Sequence, residues 1–132
     1  MIISITFGGY MKDKFLQEKS YQFALRIVKL CRYLIEEKKE FVLSREVLRT
    51  GTAIGSYIEG ATQAESTSDF IHNLSSANQN AFKTNFWLRL LRDSEYVTDK
   101  QAKSLLDDCE ELQKLLTTSI KTSKRKLEPN AQ

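Results

Sequence analysis

The chain has 132 residues, 41% hydrophobic and 28% charged, with 5 Gly and 1 Pro, a composition that fits one domain with a core and excludes a disordered tail or a pair of domains. Its 20 Lys and Arg against 17 Asp and Glu leave a net charge of +3, so affinity for a polyanion has to come from where the charges sit. One histidine, His72, and two cysteines, Cys31 and Cys109, exclude most multi-ligand metal sites and any framework of several disulfides.

The opening Met1-Ile-Ile-Ser-Ile-Thr-Phe7 is apolar, but no basic residue precedes it and Gly8-Gly9 closes it too soon for a signal peptide. It reads either as a strand able to pair with another chain or as an extension without fixed structure, and Met11 offers a second start. Residues 1–13 are therefore taken as an N-terminal extension. No run of about 18 apolar residues occurs anywhere, so no membrane span is expected. A cytoplasmic location follows, where a reducing environment makes Cys31 and Cys109 small core hydrophobes rather than a bridge.

Between about residues 14 and 122 there is no proline, and apolar residues recur at helical spacing. The first helix is expected over about Lys14 to Lys39, with Leu16, Phe23, Ala24, Ile27, Leu30, Cys31 and Leu34 inward and a second stripe of Tyr21, Val28 and Ile35 beside them. A second is expected from Ser44, as N-cap, to about Ala64, with Val47, Leu48, Ile54, Ile58 and Ala61 inward. Gly51 and Gly55 fall on one face of it. Interior glycine costs roughly 1 kcal/mol against alanine, which predicts a compensating close helix contact at both; a phosphate-cradling loop lacks its preceding strand and its Gly-Lys-Ser/Thr.

The third helix begins at Ser66 or Ser68 and runs to about Glu95, burying Phe70, Leu74, Ala77, Ala81, Leu88 and Leu91, while Phe82, Phe86 and Leu90 form a second apolar stripe and Trp87 a third. The fourth opens with the capping box Thr98-Asp-Lys-Gln101 and packs through Ala102, Leu105, Leu106, Cys109, Leu112, Leu116 and Ile120. Residues 123–132 are expected to be a basic, polar tail. Short connections favour antiparallel neighbours, so the fold class is all-α, an up-down-up-down four-helix bundle over residues 14–122. Tyr21, Val28, Ile35, Ile71, Phe82, Phe86 and Leu90 are too apolar to stay uncovered and are the expected interface of a homo-oligomer.

No residue set commits to catalysis. A carboxylate-bridged metal centre needs two Glu-x-x-His pairs, and only Asp69-Phe-Ile-His72 comes near, so no metal, cofactor or enzyme activity is expected. Cys31 sits on the apolar stripe, and Glu59 reads as a structural hydrogen-bond or ion-pair partner. Charge placement is more informative. Residues 14–40 carry seven basic and four acidic side chains, and residues 121–132 carry four and one. On helix one Lys19, Gln22, Arg26, Lys29 and Tyr33 share about 80° of arc, a basic ridge with an aromatic able to engage phosphates and stack a base. Lys121, Lys124, Arg125 and Lys126 add a second basic cluster. A solvated helix face is the alternative reading of both.

The blocks Ala24-Leu25-Arg26-Ile27-Val28-Lys29-Leu30, Tyr33-Leu34-Ile35-Glu36-Glu37-Lys38-Lys39-Glu40-Phe41-Val42-Leu43-Ser44, Leu48-Arg49-Thr50-Gly51-Thr52-Ala53-Ile54-Gly55, Asp69-Phe70-Ile71 and Phe86-Trp87-Leu88-Arg89-Leu90-Leu91 closely resemble the bacterial four-helix-bundle family encoded in intervening sequences of 23S rRNA genes. The resemblance spans about residues 15–122. It implies a left-handed antiparallel bundle assembled as a ring-like homopentamer, a shape shared with the accessory protein of diversity-generating retroelements, which binds nucleic acid and a reverse transcriptase. The family's own activity is not established, and its name reports gene location rather than ribosome membership. This chain departs from the family at Tyr57, where Asn is common, and at Asn80 and Lys83, where glutamates are frequent, which puts an acidic network inside the bundle in doubt. The combined expectation is a non-enzymatic homo-oligomer, a pentamer by resemblance, that binds RNA or DNA through repeated basic surfaces; the alternative is a scaffold that docks a protein partner.

Overall fold

A computed structural model describes residues 7–127 of the chain, with side chains from Lys14 onward. Among the described residues there are four helices and no strand: α1 Phe7–Glu36, α2 Leu43–Ala61, α3 Thr67–Asp93 and α4 Asp99–Leu127. The first helix therefore starts at Phe7 rather than near Lys14, and the strand considered for Met1–Phe7 lies, but for its last residue, outside the described residues. The fourth helix continues to Leu127, so Lys124, Arg125 and Lys126 sit on helical turns instead of in a separate tail.

Each helix meets the next in sequence, and α4 also meets α1, the least extensive of the four pairings. Along α1 and α2 the matched positions run in opposite order: Ser20 lies beside Gly55 and Ile27 beside Gly51, and the Cys31 thiol donates to the Ser44 carbonyl at 3.2 Å. The same reversal relates α2 to α3 through Gly60 beside Asn73 and the Thr50 and Thr84 hydroxyls, 3.0 Å apart. Asn78 with Thr117 and Asn85 with Gln113 relate α3 to α4 in the same way.

The core follows the expected stripes, with Phe23, Ile27, Leu34, Ile54, Leu74, Leu88, Leu112 and Leu116 among its fully buried members. Leu48 is a correction. It was expected inward but is exposed, because it lies on the α2 flank turned past Gly51 and Gly55 toward the outer edge of α1. Ala24 and Ile120 are only partly buried. Two polar side chains occupy the α2–α3 seam without penalty, since Thr50 and Thr84 bond to each other and to the carbonyls of Glu46 and Asn80.

The start of α2 also differs from expectation. Ser44 is its second residue, not its N-cap, and its hydroxyl donates back to the Glu40 carbonyl at 2.9 Å. The free N–H groups of the first turn are bound instead by the buried Glu40 carboxylate, which accepts from Val42, Leu43 and Ser44 at 3.2, 2.9 and 2.7 Å. A carboxylate there satisfies the orphan donors and complements the positive end of the helix dipole. At α3 and α4 the caps match the sequence pattern. Ser66 accepts from the Asp69 N–H at 3.1 Å, and Thr98 and Gln101 exchange reciprocal bonds of 3.1 and 2.8 Å.

Candidate nucleic-acid and self-association surfaces

The basic ridge expected on α1 is dismantled by its neighbour. Lys19 pairs with Glu111 of α4 at 2.8 Å, and Arg26 pairs with Asp108 at 2.6 Å while also donating to the Ser104 hydroxyl at 2.8 Å. These bonds tie together the α1–α4 seam, the least extensive of the four helix pairings, and two of the three cations are consequently committed within the fold. Tyr33 is not a free stacking platform either. It is half-buried against the core and lines a cleft of about 320 Å³ with Lys38, Arg92, Tyr96 and Thr98. Lys29 alone of the ridge cations is exposed and in no ion pair among the described residues.

Asp108 and Glu111 are the partners that the sequence reading missed. They stand three residues apart on α4, on the face turned to α1, and that spacing was the available signal. The distal basic cluster keeps its charge available: Lys121, Lys124, Arg125 and Lys126 are all exposed, and none enters an ion pair among the described residues.

Six of the seven apolar residues expected at an interface are exposed: Tyr21 61%, Val28 37%, Ile35 42%, Phe82 58%, Phe86 48% and Leu90 37%. Ile71 is half-buried. The α1 set lies on the side of the helix where Gln17 meets Glu59 of α2, and Leu25 and Leu48 are exposed as well. The α3 set is anchored by Trp87, which packs on the core and meets Phe86 edge to face at a centroid distance of 5.1 Å. Because α1 and α3 share no extensive contact, the two stripes form separate flanks. Gly51 and Gly55 are buried between α1 and α2. A Cβ at Gly51 would stand 2.9 Å from two Ile27 side-chain carbons, whereas one at Gly55 would reach the Ser20 hydroxyl only at 3.4 Å.

The two cysteines are buried thiols. Burial pushes the Cys31 thiol up to about 11 and, with the nearby Glu110 and Asp108 charges, the Cys109 thiol up to about 12, so neither supplies a thiolate near neutrality. His72 is exposed, and Glu59 accepts from Gln17 at 3.2 Å. Among the described residues no three His, Cys, Asp or Glu side chains are placed to hold a metal, and no helix is long and apolar enough to cross a membrane.

The profile of the 23S rRNA-intervening sequence protein family matches residues 12–118. The chain belongs to that family. The crystal structure of a protein of unknown function from the S23 ribosomal protein family of Bacteroides thetaiotaomicron is similar to it, with 46% sequence identity, a TM-score of 0.82, and coverage of 83% of this chain and 98% of that one. No curated protein matches the chain. In this member of the family the three departures sit at the periphery. Tyr57 and Lys83 are exposed, and Asn80 is half-buried with its amide donating to the Ser76 carbonyl at 2.9 Å.

Proposed function

We propose that this protein is a cytoplasmic, non-enzymatic homo-oligomer, built from left-handed up-down-up-down bundles, that binds the phosphate backbone of RNA or DNA. The observation that carries the reading is the pair of separate apolar flanks, Tyr21/Val28/Ile35 on α1 and Phe82/Phe86/Leu90 on α3. A single isologous contact covers one flank and leaves the other wet, whereas a head-to-tail contact joins the first flank of one subunit to the second flank of the next and, where the rotation between neighbours divides a full turn, closes into a ring. The pentamer is one such ring. The opposite-running contacts between successive helices support the up-down order, and two buried unpaired thiols suit a reducing compartment.

Nucleic acid is the ligand that best fits the unpaired cations Lys29, Lys121, Lys124, Arg125 and Lys126, since their modest charge is multiplied by each added copy. A protein-interaction scaffold is the second reading. It is favoured by Phe41 and Val42, 54% and 69% exposed in the α1–α2 loop, which present an apolar tip at one end of the bundle.

Light scattering on the purified protein at micromolar concentration, with and without Phe82→Ser/Phe86→Ser, tests assembly. The expected result is a multimer that the double variant reduces to monomer; a monomeric parent protein refutes it. A salt titration of binding to labelled RNA separates the two ligands, because phosphate binding weakens steeply with ionic strength and apolar docking does not.

A further inference from the structure

With Lys19 and Arg26 paired to Glu111 and Asp108 of α4, the free positive charge of the surface lies elsewhere. The outward side of α4 changes sign along its length. Its first half carries Lys100, Lys103, Asp107 and Glu110, and Lys103 is held by Asp107 at 3.0 Å. From residue 111 to Leu127 there is one acid, Glu111, at its very start, and that carboxylate is turned to Lys19 of α1. Over this second half Lys114, Thr118, Lys121 and Arg125 are all exposed. Their steps of four, three and four residues place them within about 60° of one another, opposite the buried Leu112 and Leu116. None of the three cations is in an ion pair among the described residues.

We propose that Lys114, Thr118, Lys121 and Arg125 form a linear phosphate track along α4 that holds one strand of nucleic acid without reading its sequence. The inference rests on the nucleic-acid reading above and deepens it by moving the contact from α1 to α4 and adding Lys114 and Thr118. The four side chains span about 16 Å at 1.5 Å rise per residue. One strand of a duplex places about five phosphates along that length, at about 3.4 Å per nucleotide. Lysine and arginine supply charge, and the Thr118 hydroxyl donates to a phosphate oxygen between them. Lys124 and Lys126 flank the track on its two sides and add attraction without lying in its line. The chemistry recognised is the phosphodiester backbone, common to RNA and DNA.

The test measures fluorescence anisotropy of the full-length protein with labelled 20-nucleotide single-stranded and duplex RNA and the matching DNAs, over a range of salt concentrations. Lys114→Gln/Lys121→Gln/Arg125→Gln should weaken binding at least tenfold at low salt. It should also lower the slope of log affinity against log salt by about two to three, as expected for three lost phosphate contacts. Lys114→Arg/Lys121→Arg should bind as the parent does, and so should Arg32→Gln/Arg45→Gln, two exposed cations outside the track, with unchanged melting for all variants. Parent-like binding by the glutamine variant overturns the α4 track while the nucleic-acid reading stands. A parent protein that binds none of the four probes at low salt overturns both. Preference between the RNA and DNA arms identifies which backbone the track holds.

Discussion

Glu40 shows how much one side chain settles locally. Burial raises its pKa, but the N–H groups of Leu43, Ser44 and Val42 outweigh that and hold the carboxyl below its ordinary 4.5. A group whose native pKa is depressed stabilises the fold fully above its unfolded value and loses that contribution as pH falls through the native one. Glu40→Ala is therefore expected to cost about 1–2 kcal/mol near neutrality, as the loss of a helix cap does, and to flatten the acid limb of a stability profile measured by urea denaturation from pH 7 to pH 3. The two α2 glycines separate in sign. Gly51→Ala drives a methyl to 2.9 Å from Ile27 and should cost about 1–3 kcal/mol. At Gly55 the same change finds ordinary contact distance and should be neutral or stabilising by up to about 1 kcal/mol through helix propensity. Thermal melts of the two variants should move in different directions.

At the scale of the elements, the number and type of helices were legible because an uninterrupted 3.6-residue apolar period over a proline-free stretch admits few alternatives. The capping patterns at Ser66 and Thr98 located two starts. The start of α2 escaped because its cap is a glutamate three residues upstream, outside the usual Ser, Thr, Asp and Asn signature, and Ser44 made a persuasive decoy. The α1 ridge misled for a deeper reason. Whether Arg26 faces water depends on Asp108, 82 positions away; the three-residue spacing of Asp108 and Glu111 puts both acids on one face of α4 but does not say which helix that face meets. Both members of this pair are more than a third exposed, so a double-mutant cycle on Arg26→Ala and Asp108→Ala should give a coupling of about 1 kcal/mol or less. A larger value would mean that the seam is dry.

For the molecule as a whole, a fold whose core is complete still shows large apolar side chains on α1 and α3 that packing within one chain cannot reach. Their helical spacing was readable, but which of them would be covered was not: Ile71 and Trp87 are drawn partly inward while Phe82 and Phe86 stay out. Lengthwise, the outward side of α4 is acidic in its middle and basic toward Leu127. Such a helix feels a torque in an external field. Near a polyanion, the Leu127 end of this helix is attracted and its carboxylate band repelled. Added electrolyte screens both forces.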